Sequence, residues 1–163
     1  MPPAIILVQP EIPGNTGAIG RTCVALGIEL ILIHPLGFDI SDSRVKRAGL
    51  DYWPNLDWEM HPNWAAFEPQ LPSDSNKIYV LETGTDKSFY DLEFQEGDYF
   101  LFGKETVGFS AAFKEKYKDR IVTLPFPGKI RSFNLANCVS MVMSHAFSQF
   151  IQKDQGLGLK PSC

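Results

Sequence analysis

The sequence predicts an α/β domain with a mostly parallel sheet and helices on both faces. Two observations carry this. Short apolar runs alternate with stretches of helical period along the 163 residues. Three glycine- or asparagine-bearing turns each follow such a run and open a helix. They are Pro10-Glu11-Ile12-Pro13-Gly14-Asn15-Thr16-Gly17, Phe102-Gly103-Lys104-Glu105-Thr106-Val107-Gly108 and Ile130-Arg131-Ser132-Phe133-Asn134-Leu135-Ala136-Asn137. In an open α/β sheet, such turns lie at the carboxyl ends of strands, where ligands bind. Three of them in one small chain predict one composite pocket.

Ala4 to Val8 reads as a buried strand. Asn15 or Thr16 is placed to cap a helix running to Leu26, with Ile19, Cys23 and Leu26 on one face and Gly27 where the helix stops. Leu30 to Ile33 is a second strand ended by Pro35, and Asp42 to Ala48 a short basic helix closed by Gly49. Tyr52 to Pro72 is rich in Trp and Pro, with one or two helical turns over Trp64 to Glu68. Ile78 to Leu81 and Tyr99 to Phe102 are further strands. Ser110 caps a helix through Tyr117, in which Phe113 and Tyr117 pair. Ile121 to Leu124 is a last strand. Asn134 caps the strongest helix, whose apolar face holds Leu135, Val139, Val142, Ala146 and Phe150 and is widened by Ala136, Met143 and Phe147. That face is broad enough for a sheet or for a second subunit. One domain over 1–155 is expected, with a loose tail over 156–163.

Hydrophobic residues make up 44% of the chain, enough for a core without staples. No apolar run approaches a membrane span, and the N-terminus lacks the pattern of a signal peptide. Cys23, Cys138 and Cys163 form no CxxC and no zinc-like spacing with His34, His61 or His145. They read as reduced thiols in a cytoplasmic protein without a metal site, Cys23 and Cys138 serving core packing. The net charge of −4 does not announce a nucleic-acid binder, although a local basic strip can bind phosphate on an acidic protein.

Gly14, Gly17 and Gly20 invite a dinucleotide-binding reading, but their spacing is GxxGxxG rather than GxGxxG. The second strand ends in Ile33-His34-Pro35 and not in an acidic residue. P-loop, HExxH and GxSxG motifs are absent. What remains is a helix N-terminus suited to an anion, with Arg21 about two turns inside. Spacing alone leaves Arg21 open between a phosphate or ribose clamp and a surface ion pair.

Taken together, the segments resemble the SPOUT superfamily of RNA methyltransferases, and most closely the tRNA (cytidine/uridine-34) 2′-O-methyltransferases of the TrmL type. The first motif is matched by Pro10 to Pro13, Asn15-Thr16-Gly17 and Arg21, and the second by Gly97-Asp98-Tyr99 with Phe102-Gly103-x-Glu105-x-x-Gly108. The third is matched by Arg131-Ser132-x-Asn134-Leu135-x-Asn137. Pro35-Leu36-Gly37-Phe38 and Arg47-Ala48-Gly49-Leu50-Asp51-Tyr52 resemble the wobble-nucleotide branch. Ala18 and Ala136 depart from the pattern, standing where Asn and Ser are usual.

The resemblance implies a C-terminal deep trefoil knot, a homodimer, S-adenosylmethionine as cofactor and tRNA as substrate, methylated on the 2′-oxygen of the wobble nucleotide. Ribosomal RNA, another tRNA position, or a non-catalytic RNA-binding dimer are the alternatives. By motif position Leu81, Gly103, Leu124, Ser132, Leu135 and Asn134 hold the cofactor, and Arg21 is catalytic with Asn15 and Glu105 beside it. For Glu105, bracing a loop is expected over proton transfer; Asn15 is divided between cap and substrate contact. Arg44, Lys46, Arg47 and Arg131, with Lys129 nearby, are expected to meet RNA phosphates. Trp53, Trp58 and Trp64 are expected to pack rather than to stack on a base.

Overall fold

A computed structural model describes residues 3–40, 52–74 and 77–153. The main elements are β1 (Ala4–Val8), α1 (Pro13–Leu26), β2 (Glu29–Ile33), β3 (Trp58–His61), α2 (Trp64–Phe67) and β4 (Ile78–Leu81). They continue with β5 (Tyr99–Phe102), α3 (Ala111–Lys116), β6 (Ile121–Val122) and α4 (Leu135–Lys153). The six strands form one sheet in the order β3-β2-β1-β5-β4-β6, and every pair is parallel.

Apolar sequence and parallel pairing go together here. All five residues of β1 are buried, because a parallel strand is covered on both faces. Successive side chains alternate between two cores. Ile5 and Leu7 join Ile19 and Cys23 of α1 and Val139, Val142 and Met143 of α4. Ala4, Ile6 and Val8 join Phe67 of α2 and Phe109, with Trp64 and Phe113 packed against them. Helices therefore cover both faces, as the alternation of patterns predicts. The wide apolar face of α4 is taken up by the sheet and by α1. Trp53 and Trp58 pack on the first core and Trp64 on the second.

Several boundaries follow their local signals. Gly27 ends α1 in the left-handed conformation, φ 64°. The Ser110 hydroxyl accepts from Phe113 N at 3.2 Å, and Asn134 Oδ1 accepts from Ala136 N at 3.0 Å and Asn137 N at 3.3 Å.

Other expectations need correction. Helix α1 begins at Pro13 with Ile12 at the cap position and no side-chain cap, so neither Asn15 nor Thr16 caps it. A proline with preset φ starts the helix in place of a capping side chain, and the Asn15 amide is used elsewhere. Strand β3 lies in the Trp- and Pro-rich stretch where no strand was expected. Trp58-Glu59-Met60-His61 is an edge strand with one neighbour, and its apolar–polar alternation runs for only four residues. β2 starts at Glu29, and β6 stops at Val122, after which Thr123 makes only an isolated bridge to Ser88. The expected helix over 42–48, with Arg44, Lys46 and Arg47, lies outside the described residues.

Met143 is fully buried between α4 and the sheet. Met143→Ala should lower stability by about 2–5 kcal/mol, measured as a shift in the urea midpoint at unchanged slope.

Candidate cofactor and catalytic site

Strands β4, β5 and β6 end at the same edge of the sheet, and the segments that follow them enclose a cavity of about 410 Å³. That is the size of a small-molecule site. Leu81, Gly103, Leu124, Ser132 and Leu135, all expected to hold a cofactor, line it, together with Glu105 and Arg131. Asn134 stands just behind, capping α4. Phe126 and Phe133 add aromatic walls, in edge contact at 4.7 Å between centroids.

Two glycines give the cavity its shape. A Cβ on Gly103 would lie 2.8 Å from the Gly108 carbonyl carbon. Gly108 has φ 64°, and a Cβ there would lie 2.4 Å from Glu82 Oε2. Glu82 is a lining residue that sequence reasoning missed. Its Oε2 accepts from Phe109 N at 3.1 Å, its Oε1 accepts from Thr83 N at 2.9 Å, and Lys114 Nζ lies 3.8 Å from Oε2. This carboxylate ties the loop after β4 to the loop after β5. The available signal was an acidic residue immediately after an apolar strand, at the sheet edge where ligands bind. Lys104, Lys114 and Cys138 also line the cavity and were not expected there.

Glu105 does not reach Arg21. Its Oε2 accepts from Glu11 N at 2.7 Å, and its Oε1 accepts from Ile12 N at 3.1 Å and from Asn15 Nδ2 at 3.2 Å. Asn15 Oδ1 in turn accepts from Asn134 Nδ2 at 3.0 Å. Glu11 returns the contact: its Oε2 accepts from Thr106 N at 3.1 Å and the Thr106 hydroxyl at 2.7 Å. The Thr106 hydroxyl holds the Glu11 carboxyl below its ordinary pKa, against a smaller cost of desolvation. All three sequence motifs thus meet through one hydrogen-bonded chain.

Arg21 lies apart from these groups. It is exposed on α1, outside the cavity lining, with its guanidinium carbon 5.1 Å from the centroid of the Tyr52 ring. Of the two departures, Ala18 is exposed, and Ala136 is buried with its amide satisfied by Asn134. Among the described residues, no helix is long and apolar enough to cross a membrane, and no group of three or more His, Cys, Asp or Glu could hold a metal ion.

An all-parallel α/β sheet with a cavity at its carboxyl edge, apolar walls and a few polar groups places this chain among the open α/β proteins that bind a small ligand at that edge. Comparison with known proteins narrows the class. The SpoU rRNA methylase family pattern matches residues 2–144, and the chain belongs to that family. It is 40% identical over 146 residues to the tRNA (cytidine(34)-2′-O)-methyltransferase of Burkholderia cenocepacia, covering 89% of this chain and 94% of the relative. A similarly named protein of Saccharophagus degradans is 39% identical over 146 residues, with the same coverage of 89% and 94%. A solved structure described by the 2-OH methylation of C/U34 on tRNA superposes with TM-score 0.85 at 40% identity, covering 92% of this chain and 97% of that one. The SpoU methyltransferase AviRb from Streptomyces viridochromogenes, solved with AdoMet, matches with TM-score 0.79 at 25% identity, over 91% of this chain and 57% of that one.

Burial pushes the Cys138 thiol up to about 11. Its thiolate is therefore about one part in a thousand at pH 8 and grows about tenfold per pH unit up to that value. Iodoacetamide labelling at Cys138, followed by peptide mass spectrometry, should rise about tenfold between pH 8.5 and 9.5. Added S-adenosylhomocysteine should suppress it at both.

Proposed function

We propose that this chain methylates the 2′-hydroxyl of nucleotide 34, the wobble nucleotide of tRNA, using S-adenosylmethionine. The carrying observation is the pair of relatives named for this reaction at 39–40% identity across 89% of the chain. The family description names ribosomal RNA, but the two relatives matched over 89% of the chain are named for cytidine 34 of tRNA, which favours the tRNA reading.

The residues present fit the cofactor. Leu81, Leu124 and Leu135 offer apolar walls for an adenine, and the close backbone approach at Gly103 leaves amides and carbonyls free of side-chain bulk. The Ser132 hydroxyl is placed at the cavity wall as a hydrogen-bonding group, and Asn134 holds the turn beneath. When bound, S-adenosylmethionine supplies an electrophilic methyl group on a sulfonium, with a neutral thioether as leaving group. The protein's task is to set the ribose oxygen in line with that carbon and to steady the charge as the hydroxyl proton passes to a neighbouring phosphate or to solvent water.

In this reading Arg21 orients the 2′-hydroxyl and stabilises developing charge with its planar, multi-donor guanidinium. Glu105 and Asn15 act by bracing, since the Glu105 carboxylate already accepts from three donors. Arg131 at the cavity, with Arg44, Lys46 and Arg47, holds RNA phosphates.

The same reading includes a single catalytic domain over 1–155 with a tail at 156–163, a cytoplasmic location, a C-terminal trefoil knot and a homodimer. The knot is supported by the path after β6. That segment leaves the sheet edge beside β4, lines the cavity with the loops after β4 and β5, and reaches Asn15 on α1 before α4 packs against α1. The homodimer is supported by Arg21 lying outside the cavity of its own chain: a second copy supplies the missing guanidinium.

Nuclease digestion and mass spectrometry of tRNA incubated with the protein and S-adenosylmethionine should reveal a 2′-O-methyl group at position 34; an unmodified position 34 overturns the proposal. Arg21→Lys should lose about 100-fold or more in single-turnover rate, because a point charge does not reproduce the planar fork. Its calorimetric affinity for S-adenosylhomocysteine should stay unchanged.

A further inference from the structure

We propose that Tyr52 is a positioning residue for Arg21: its ring seats the guanidinium, and its hydroxyl fixes the helical turn from which Arg21 projects. The proposal rests on the reading above, in which Arg21 acts at the target ribose.

The geometry joins the two residues twice. The Arg21 guanidinium carbon stands 5.1 Å from the Tyr52 ring centroid, within cation–π range. The Tyr52 hydroxyl donates to the carbonyl of Gly17. Gly17 is four residues before Arg21, so in an α-helix its carbonyl is also the acceptor for Arg21's own amide. One oxygen thus receives the Tyr52 hydroxyl and closes the turn that carries Arg21.

Tyr52 is itself held firmly. It is 8% exposed, whereas Arg21 is open to solvent. The 3₁₀ turn that follows, Trp53–Asn55, presses on α1 at Gly20. A Cβ there would lie 3.2 Å from both Leu56 Cδ2 and Trp53 Cζ3. A free arginine samples many rotamers, and each nonproductive one must be abandoned before reaction. A ring anchored to the same helix removes much of that freedom in advance. A tyrosine serving packing alone would not need its hydroxyl on this carbonyl or a cation over its face. The phenol supports the pairing: burial raises its pKa, and the Arg21 charge pulls it back.

Two substitutions separate ring from hydroxyl. Tyr52→Leu removes both, and Tyr52→Phe keeps the ring. The rate constant kcat on tRNA, the S-adenosylhomocysteine dissociation constant and the melting temperature are measured for each full-length variant. Tyr52→Leu should lower kcat about tenfold or more while the dissociation constant stays within about twofold, and Tyr52→Phe, which keeps the ring but loses the hydroxyl bond to Gly17, should fall between the two, about threefold below the parent. An unchanged kcat in Tyr52→Leu, a parallel loss of kcat and donor binding, or a Tyr52→Phe as slow as Tyr52→Leu overturns the proposal.

A second measurement does not depend on activity. In protein labelled with ¹³C-tyrosine, Arg21→Ala should move the Tyr52 titration to higher pH, and an unmoved titration overturns the contact. Parent protein that methylates no tRNA defeats the functional reading instead, while the titration still decides whether Tyr52 and Arg21 are paired.

Discussion

The site depends on one carboxylate. Glu105 belongs to the loop after β5, yet its oxygens accept from Glu11, Ile12 and Asn15, which lie 90 to 94 positions away in sequence. A charged acceptor with several donors is among the stronger polar contacts a protein makes. Here it joins the loop that walls the cavity to the first turn of α1, the helix bearing Arg21. Asn15 passes the connection to Asn134 at the start of α4. Glu11 closes it from the other side through Thr106. No backbone pairing links these three loops; the side chains do that work. The preorganisation that methyl transfer needs is therefore a property of the motif residues rather than of the sheet.

The sheet sets where those residues meet. Parallel strands bring all their carboxyl ends to one edge, so loops distant in sequence become neighbours. Close approach then makes side chains a cost. Gly103 and Gly108 face each other where any Cβ would collide with backbone or with Glu82. The space left empty between loops is what a ligand can use. Glu82 shows how such a cavity tolerates acid: its oxygens are satisfied by two loop amides, with Lys114 alongside.

Strands β1, β4 and β5 were legible because buried parallel strands are continuous apolar runs, and α1 and α4 because their stop and start signals, Gly27 and Asn134, act locally. Strand β3 was not, because a four-residue alternation between Pro54 and Pro62 is too short a signal, and pairing with its one neighbour β2 completes the edge strand. The residues Leu81, Gly103, Leu124, Ser132 and Leu135 do share one cavity, as the family resemblance implied. Asn15 was misplaced as a cap because the sequence shows an Asn near a helix start but not the carboxylate 90 positions away that claims its amide. Glu82 and Tyr52 escaped for the same reason: each acts on a backbone group that only the fold brings within reach.

Charge poses the remaining question, since an acidic protein of net charge −4 must grip a polyanion. Lys104, Lys114 and Arg131 line the cavity, against the carboxylates of Glu82 and Glu105. Those two carboxylates are not idle charge: they accept from loop amides, and Glu82 also has Lys114 alongside. Hydrogen bonds from amide dipoles offset part of their field at short range, and three cationic side chains stand at the cavity beside these two carboxylates. Arg21 adds a further cation on α1, exposed and seated on an aromatic ring. Phosphate contacts need charge only within about a Debye length of about 8 Å at physiological salt. The sign of the whole chain then has little influence on phosphate contact, and the local placement of a few cations has much.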